Sequence, residues 1–584
     1  GLQVTLRGRL REPPRLLTGG GCLALLALEA PRAGTTQLLL DRCEGLAAGW
    51  RLEVDGRLRR PPRQIHPLLG DGGARLARQG VFSQLVVARL QVLERHQGPL
   101  MAVRQHIVQR FVAVAGPRQG ALLAALVLGN GVVTLPEGLS QPFRVAGLSH
   151  ALAASGFQLT VLLGLVTAGL RRWPLALQLL GAGLAVVVFV GLSGPQPAVL
   201  RAALMGSLTL VIEACGERSR PLGVLLLCLG LLLLWMPQWL LDLGFQLSAA
   251  ATAGLLLTAP RLQRGLQRRL PPWLAAAVAV PLAASLWTLP LQLQAFGAVP
   301  LLAVPANLLA APLLSLLTLG ALGSAVLALL PGPLLTIGLA LLHWPLQALL
   351  GLVAVVAAVP GALVPTGRMA VPLALLVTAG LLPWLVALPQ AQRWRRRGLP
   401  LLLVAAVAQA VQQTRDQLLL VHQAGGSLLI ARHRGRGALV SSGGDGFSCR
   451  RAARLREGLG IVRFDWVVLL DAGSADGPAA DPCWQAQAGL VQRLPLGRIN
   501  SPGLIYSSLD DTGRSAWLQL GSQRWLLLPD PVDAALLPEQ PSGPWRGLWL
   551  GRPPSRREQP AVQALAAGRP QLVSGPGPAA QTVD

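Results

Sequence analysis

The sequence contains no lysine, a single tyrosine and few charges for its length. Of its 584 residues, 13% are charged, 4% are aromatic and 52% are hydrophobic. An average soluble protein is about 25% charged. Stretches of about 20 residues without a charge recur along the chain, and each is long enough to cross the hydrocarbon of a bilayer. The composition therefore excludes a soluble cytosolic protein, a disordered chain and a fibrous repeat, and it predicts a polytopic membrane protein.

Motifs for nucleotide chemistry are also absent. The sequence holds no P-loop, no dinucleotide-binding fingerprint and no CxxC pair. We therefore expect no ATP hydrolysis, and energy for any transport must come from elsewhere. Six cysteines are too few for a disulfide scaffold. The chain begins at Gly1 rather than Met, which is typical of a fragment or a processed chain.

Ten apolar stretches are predicted to span the membrane: 146–170, 174–193, 197–215, 221–236, 243–259, 273–299, 300–330, 332–360, 370–388 and 399–412. Arginines account for the net charge of +25, and four clusters of them lie between the spans, at 171–172, 218–220, 261–269 and 393–397. Every cluster follows an odd-numbered span. Because Arg collects in cytoplasmic loops, these loops are predicted to be cytoplasmic, which places residues 1–100 and 415–584 on the exoplasmic side.

Residues 1–100 have the composition of a soluble domain. Short segments bounded by Pro and Gly predict strands of a small β-barrel or sandwich: Gln3–Leu10, Cys22–Leu28, Gln37–Leu40 and Arg51–Leu58. Cys22 and Cys43 flank a predicted hairpin with its turn at 31–34. If they face each other across the ladder, they are within disulfide reach, and a bond would imply an oxidising, exoplasmic compartment. The alternative is two unpaired thiols.

Two further segments flank or follow the predicted spans. Residues 101–116 carry Arg104, His106 and Arg110 among apolar positions at helical spacing, which predicts an amphipathic helix at the membrane surface. The alternative is a globular helix packed against the first domain. Residues 415–584 return to a soluble composition, and "FDWVVLLDAGSADG" and "QRWLLLPD" predict strands of an α/β or β-rich domain.

Polar residues inside the predicted spans are candidates for a polar pathway, because such groups are costly in a bilayer and often functional. The candidates are His150, Ser155, Gly156, Gln158, Arg201, Asp242, Gln246, Gln292, Gln294 and Asn307. The alternative for each is an interhelical contact or interfacial snorkelling. Prolines at 281, 290, 300, 305 and 312 predict broken helices, which are tolerated only inside protein or beside a water-filled cavity. This favours a channel or transporter over a simple anchor.

Four motifs, "GLSHALAASGFQLTVLLGLV", "GPQPAVLRAALMG", "LDLGFQLSAAATAGLLL" and "PLQLQAFGAVPLLAVPANLLAAPLLS", follow one another within roughly residues 117–330. Both the motifs and their order resemble the ComEC competence-protein family. The resemblance implies a channel of the bacterial plasma (inner) membrane for DNA uptake in natural transformation. It also implies an OB-like domain near the N-terminus and often a metallo-β-lactamase-like domain after the last span. Partners would be single-stranded DNA, the lipid bilayer and other competence proteins, including a separate nuclease and a cytoplasmic ATP-driven motor.

The chain departs from the family pattern at two places. Gln158 stands where the family commonly has His, so a role that needs a titrating group there is in doubt. In the last domain, the family's His-x-His-x-Asp-His run corresponds to Ala472, Ser474, Asp476 and Gly477, of which Asp476 alone matches. Since imidazoles are the main ligands of such a site, we expect no metal cofactor and no hydrolase. The alternative is that His422, His433 or Asp445 converge on a metal.

The sequence therefore predicts a multi-domain membrane protein, with a polytopic α-helical bundle between two sheet domains. Its parts are an exoplasmic OB-like β domain (1–100), an amphipathic interfacial helix (101–116), a polytopic competence domain (117–412) and an exoplasmic, degenerate metallo-β-lactamase-like α/β domain (415–584). The favoured function is a channel for single-stranded DNA that uses backbone electrostatics, because aromatic residues are too scarce for extensive base stacking. The alternatives are a secondary transporter of a small solute and a membrane-anchored metal-dependent nuclease.

Overall fold

The structure of the protein is a computed structural model. It describes residues 2–16, 21–30, 33–42, 45–62, 64–133, 135, 138–153, 156–330, 332–386, 391–423, 426–471, 482–494, 497–509, 515–536, 544–574 and 579–583. Three parts follow one another along the chain: an N-terminal sheet domain, a helical membrane domain and a C-terminal sheet domain. A polytopic membrane protein with flanking sheet domains is thus confirmed.

The N-terminal sheet domain contains all four predicted strands. Its elements are β1 (Leu2–Leu10), β2 (Arg15–Leu16), β3 (Cys22–Leu28), β4 (Thr35–Leu40), β5 (Arg51–Arg59), α1 (Gly72–Arg78) and β6 (Val81–Glu94). β1 pairs with both β5 and β3, while β6 joins β5 to β4, so the strand pairings return to the first strand. Alternate side chains such as Leu26, Leu38 and Leu52 fill the interior, as the period of two in a strand requires.

The predicted register of the β3–β4 hairpin is wrong. Cys22 lies opposite Leu40 rather than opposite Cys43, because the connection between the last paired residues, Ala27 and Thr35, shifts the centre of the hairpin toward the N-terminus. Cys22 is buried and disulfide-bonded. Cys43 lies outside the described residues, so the Cys22–Cys43 bond stays a prediction.

The membrane domain consists mainly of helices. They are α2 (Pro99–Leu128), α3 (Ser140–Val145), α4 (Ser149–Leu152), α5 (Gly156–Gly169), α6 (Leu175–Ser193), α7 (Pro197–Ala214), α8 (Pro221–Trp235), a 3₁₀ turn (Pro237–Leu241), α9 (Leu243–Leu257), α10 (Ala259–Leu266), α11 (Pro272–Ala295), α12 (Ala303–Leu327), α13 (Leu334–Ala358), α14 (Val371–Leu385) and α15 (Ala391–Thr414). Two short strands, β7 (Ala298–Pro300) and β8 (Leu363–Pro365), pair antiparallel.

Six of the described helices are long and apolar enough to cross a membrane: α2, α6, α7, α11, α12 and α13. A seventh span forms if α9 and α10, which bend by 46° at their junction, count as one. The prediction of one continuous helix over 146–170 is wrong. Gly147 has φ +72°, a left-handed conformation that glycine adopts without strain, and the chain there forms the short helix α4 followed by α5.

α2 is a folded-back pair of arms rather than one rod. Gly116 has φ +81° and is followed by Pro117, and a Cβ added to Gly120 would lie 2.3 Å from the carbonyl oxygen of Phe111. Residues nine apart in a straight helix are about 13 Å apart, so residues 99–115 and 117–128 pack against each other. The first arm ends where the predicted amphipathic helix ends, and the second is buried in the core of the membrane domain.

The first arm of α2 contacts both the end of α6 and the turn between α12 and α13. The Arg104 guanidinium donates to the carbonyl of Gly191 near the end of α6, His106 Nε2 lies 3.1 Å from the Ala328 oxygen, and Arg110 Nη2 lies 3.5 Å from the Gly332 oxygen. Arg104 and Arg110 are only about 9 Å apart along a helix axis.

Strict alternation of ten spans would separate these two loops by the hydrocarbon layer, about 30 Å, and the side on which each loop lies stays a prediction. The hairpin of α12 and α13 contains no arginine.

The C-terminal sheet domain contains the predicted strands and several more. Its elements are β9 (Gln417–Gln423), β10 (Gly426–His433), β11 (Arg436–Ser441), α16 (Gly446–Gly458), β12 (Phe464–Leu469), α17 (Pro482–Gln487), β13 (Ala488–Arg493), β14 (Arg498–Ser501), β15 (Leu504–Ser508), β16 (Ala516–Leu520), β17 (Gln523–Leu528), α18 (Asp533–Leu536), β18 (Gly547–Leu550), α19 (Gln559–Ala566), β19 (Gln571–Val573) and β20 (Ala579–Val583).

These elements form four layers. Two six-stranded sheets, β13-β12-β11-β10-β9-β20 and β14-β15-β16-β17-β18-β19, enclose a core that includes Trp466, Tyr506 and Trp525. α16 covers the outer face of the first sheet, and α19 covers the outer face of the second. The predicted buried strand "FDWVVL" is β12, which pairs in parallel with both of its neighbours.

Candidate functional site

Arg201 joins three helices of the membrane domain near their N-terminal ends. It is the fifth residue of α7, and its Nε donates to Oγ of Ser248 in the second turn of α9 at 3.0 Å. A Cβ added to Gly156, the first described residue of α5, would lie 3.8 Å from Arg201 Nη2. Helix N-termini carry partial positive charge, to which Arg201 adds a full charge. This arrangement favours an anionic group such as a phosphate.

Close packing around Arg201 depends on Gly156. A Cβ at this position would lie 3.1 Å from Cβ of Ala202, which is tighter than ordinary van der Waals contact. Small residues let helices approach closely inside a membrane. Gly156 therefore brings the start of α5 against α7 beside Arg201, and Ser155 lies outside the described residues.

Gln158 is buried and satisfies a backbone group of a neighbouring helix. Its side chain is 2% exposed, and its Nε2 donates to the carbonyl oxygen of Leu126 at 2.6 Å. Leu126 belongs to the last turn of α2, whose carbonyls have no partner within the helix. An amide N–H performs this role without titrating, so the contact gives Gln158 a structural use where the family pattern has His.

Asn307 and Gly147 form a second contact between two family motifs. Asn307 Nδ2 donates to the Ala303 carbonyl at 2.7 Å and lies 3.5 Å from the Gly147 oxygen. A Cβ at Gly147 would lie 2.6 Å from Cβ of Ala303, so the close approach and the positive φ both require glycine there. This contact fixes the chain before α4 against the start of α12.

The other candidate residues make local contacts. Asp242 caps α9 by accepting from the Phe245 N–H at 2.9 Å, and Gln246 Nε2 donates to the Leu240 oxygen at 2.8 Å. Gln292 donates to Thr288 Oγ1 of its own helix. Gln294 is half-buried, and His150 is exposed. The structure thus groups Gly156 with Arg201 and Gly147 with Asn307, and a continuous pathway through all ten residues stays a prediction.

The N-terminal sheet domain sits on the loops that precede α7 and α9. Arg78 Nη1 donates to the Leu241 oxygen at 2.9 Å, one residue before the cap of α9. Arg15 Nη2 donates to the Gly131 oxygen at 3.3 Å, and Gly131 lies against Gln196, one residue before α7. This domain is therefore held at the end of the membrane domain where Arg201 and Ser248 lie.

The exposed face of the N-terminal sheet is partly neutralised. Arg7 pairs with Glu53 at 2.9 Å, and Arg51 pairs with Glu29 at 2.7 Å. Arg57 and Arg89 are exposed on the same domain. The ion pairs reduce the number of arginines available to a polyanion.

The C-terminal sheet domain is fixed to the membrane domain by a polar junction. Glu457, 5% exposed, pairs with Arg144 at 2.5 Å. The backbone N–H of Arg368, in the membrane domain, donates to the Gly458 oxygen of α16 at 2.8 Å. No sequence pattern indicated the Arg144–Glu457 pair, because its partners are 313 residues apart.

A buried arginine strengthens the same junction. Arg432 of β10 is 8% exposed, and its guanidinium donates to the carbonyls of Gln412 and Leu459 at 2.9 Å and of Arg415 at 3.3 Å. Two of these carbonyls lie at the C-terminal end of α15, where a cation is favoured by the helix dipole. The last membrane helix is thus tied directly to the first sheet.

The polar residues proposed as alternative metal ligands do not converge. His422 Nδ1 lies 2.8 Å from Ser427 Oγ at one end of β10, whereas His433 Nδ1 lies 2.8 Å from Asp416 Oδ1 at the other end. Asp445 caps α16 by accepting from Ser448. Within the described ranges, no group of three or more His, Cys, Asp or Glu side chains is placed to hold a metal ion. Ala472, Ser474, Asp476 and Gly477 lie outside those ranges.

Carboxylates at the strand ends of this domain already have guanidinium partners. Arg552 donates to Asp530 at 2.6 Å and to Glu558 at 2.7 Å, and Arg493 donates to Asp471 at 2.8 Å. The hydrogen bond from Arg552, helped by the Ser555 N–H, lowers the pKa of Glu558 to about 2. These pairs satisfy the charges without an ion.

A disulfide in the C-terminal sheet domain was not predicted from the sequence. Cys449 of α16 is bonded to Cys483 of α17, whereas Cys215, which is exposed, and Cys228, which is buried, are free. An even number of cysteines outside the spans was the available signal. Disulfides persist in oxidising compartments, so this bond favours an exoplasmic location for the domain.

We expect loss of the Cys449–Cys483 bond to destabilise the C-terminal sheet domain by about 3–4 kcal/mol, because a cross-link over 34 residues restrains the unfolded chain. Thermal unfolding of the full chain in detergent, with and without reductant, measures this. In the Cys449→Ser/Cys483→Ser variant, this domain should unfold at a lower temperature than in the unaltered chain, and reductant should not lower the unfolding temperature of this domain further. Acid-trapped cells should contain the oxidised form, and finding free thiols in the folded chain would contradict the exoplasmic location.

The membrane domain is similar to known competence proteins. Residues 126–391 match the family described as Competence protein. The curated ComE operon protein 3 of Bacillus subtilis (strain 168) is 28% identical over 272 residues, which cover 45% of this chain and 34% of that protein. The uncharacterized protein YcaI of Escherichia coli (strain K12) is 29% identical over 254 residues, 38% of this chain and 33% of that protein. No solved structure matches the chain.

The matched segment contains the contacts described above, from Gln158 and Arg201 to Asn307. The alignments span about a third of the length of each curated relative. Residues 126–391 are therefore the part of the chain that is similar to ComEC-type competence proteins.

Proposed function

We propose that the protein is a channel that passes single-stranded DNA inward across the bacterial plasma membrane during natural transformation. The observation that carries this proposal is the position of Arg201, where the N-terminal turns of α5, α7 and α9 meet beneath the N-terminal sheet domain. Helix N-termini and a guanidinium together favour a phosphate over a neutral solute. The match of residues 126–391 to the competence family supports the same substrate class.

The two sheet domains are assigned to the exoplasmic side in this proposal. The exposed arginine clusters after α5, α7 and α10 favour cytoplasmic loops at the other end of the bundle. The ring of strand pairings in the N-terminal sheet domain supports an OB-like fold. The four layers of the C-terminal sheet domain support a metallo-β-lactamase-like fold. We propose that this second domain guides DNA and does not cleave it.

The remaining functions of uptake are assigned to other proteins. The chain has no P-loop, so a cytoplasmic ATP-driven motor would pull the strand. A separate nuclease would supply the single strand.

Disruption of the gene, followed by a transformation assay with labelled donor DNA, tests the proposal. We expect DNA to bind outside the cell at normal levels, while DNase-resistant internal DNA falls to background. Restoring the gene should restore uptake. Normal internal DNA in the disrupted strain would contradict the channel, and a defect in accumulation of a small solute would point to the secondary transporter instead.

A further inference from the structure

One face of α16 carries a row of arginines beside an exposed aromatic ring. Phe447, Arg450, Arg451 and Arg454 follow one another at spacings of three, one and three residues, which places them on one side of a helix. Phe447 is 40% exposed, and Arg450 and Arg454 are exposed. The opposite side of the helix, with Cys449, Ala452 and Leu455, is buried against the first sheet. The row, here called the α16 stripe, therefore faces away from the core.

The cations of the stripe are close enough to one another to interact electrostatically. Burial, followed by repulsion from Arg454, lowers the pKa of Arg451 to about 10. Arg368, at the junction with the membrane domain, likewise has its pKa lowered first by burial and then by Arg454. The carboxylate that acts on Arg451 is Asp445, whose side chain already caps α16. Like charges held this close favour an added polyanion.

The guanidinium of Arg451 stacks on the ring of Phe447. Arg451 Nη1 is buried and has no partner among the described residues, and the guanidinium lies 4.0 Å from the centre of the Phe447 ring. The Cys449–Cys483 bond ties the buried side of the helix to α17. From Phe447 to Arg454 the stripe runs about 10 Å along the helix axis, which is long enough to contact more than one phosphate of a strand.

We propose that the α16 stripe binds the phosphodiester backbone of single-stranded DNA, with Arg451 and Arg454 on phosphates and Phe447 against a base. The proposal rests on the function proposed above and names a contact site for its substrate. From Arg454 the track leads to Arg368, where the C-terminal sheet domain meets the membrane domain. A guanidinium already stacked on an aromatic ring favours stacking with a base, whereas binding to lipid headgroups would not use that stack.

Binding of a fluorescent oligo-dT to the full chain in nanodiscs tests this site. Arg451→Gln/Arg454→Gln should weaken binding at least about tenfold at low salt, and should reduce the slope of log affinity against log salt by about 1.4, since each phosphate contact on a single strand contributes about 0.7. Phe447→Ala should weaken binding about tenfold while leaving the slope unchanged. The matched control is Arg556→Gln/Arg557→Gln, which removes the same charge from exposed positions near α19 and should change affinity less than twofold.

The outcomes distinguish failure of the proposed DNA site on α16 from failure of the proposed channel function. Equal losses in the stripe and control variants would overturn the site and leave only bulk charge. Unchanged DNA binding, together with lost binding to vesicles of anionic but not neutral phospholipid, would assign the stripe to lipid instead. If the unaltered chain binds no oligo-dT at any salt concentration, the proposed channel function fails as well, whereas normal binding by the stripe variant refutes the stripe alone.

Discussion

Replacing Arg201 by Gln is expected to reduce internalised DNA about 30-fold while leaving DNA bound outside the cell unchanged. A hydrogen bond from a charged donor contributes about 2 kcal/mol, and Arg201 supplies the full positive charge where three helix N-termini meet. Uptake of labelled donor DNA by cells that carry the variant measures the effect. Arg201→Lys should retain part of the activity, because a lysine keeps the charge but cannot form the bidentate contact.

The melting temperature of the Arg201→Gln variant distinguishes a role of Arg201 in transport from a role in helix packing. A guanidinium among apolar helices is costly, so Arg201→Gln should leave the amount and melting temperature of the protein unchanged or raised. Arg264→Gln, in an exposed arginine cluster, is the control for loss of one charge and should leave uptake normal. A variant protein that melts earlier in proportion to its loss of uptake would show that Arg201 is structural.

The second large effect is expected at the domain junction, where Glu457→Gln should destabilise the attachment of the C-terminal sheet domain by about 2–4 kcal/mol. Removing one member of a buried, hydrogen-bonded charge pair leaves the other uncompensated. Here the change leaves Arg144 and Arg456 as unpaired like charges. Because Arg144 is one-third exposed, the loss should be at the lower end of the range for buried pairs. Thermal unfolding and limited proteolysis of the full chain in detergent measure it.

Glu53→Gln in the N-terminal sheet domain is the matched control for this change. Its partner Arg7 is 62% exposed, and exposed pairs contribute at most about 1 kcal/mol. The exchange Arg144→Glu/Glu457→Arg should recover part of the stability lost in Glu457→Gln. If both single variants lose the same small amount, the Arg144–Glu457 pair does not hold the junction.

Local patterns predicted the elements of this fold better than their contacts. Alternating segments bounded by Pro and Gly gave four strands of the N-terminal sheet domain, and charge-free stretches gave the helices from α6 onward. Each of these signals lies within about 25 consecutive residues, so tertiary packing did not have to be known. The register of Cys22 failed because it depends on the length of the connection to Thr35, which composition does not fix.

The candidate site was predicted in its residues but not in its geometry. Arg201, Gly156 and Asn307 stood out because polar or small residues at membrane depth need a reason. Ser248 and Gly147, which contact Arg201 and Asn307, lie in distant segments of the chain, and a single sequence contains no signal for such pairs. The Arg144–Glu457 pair and the bond between Cys449 and Cys483 were missed for the same reason, since both depend on how distant segments meet.

The anchoring of α15 has a mechanical consequence for the C-terminal sheet domain. This helix ends at Thr414, β9 begins at Gln417, and Arg432 of β10 donates to two carbonyls at the helix end. The linker between α15 and β9 is only two residues long, and the ion pair between Arg144 and Glu457 forms a second connection. These connections restrict rotation of the domain relative to the bundle. A pulling force on a polymer strand bound to this domain would therefore be transmitted to α15, and the helical bundle would oppose it. The domain would then act as a fixed guide for an incoming strand. We expect energy-transfer measurements to give a constant distance between this domain and the helical bundle during uptake.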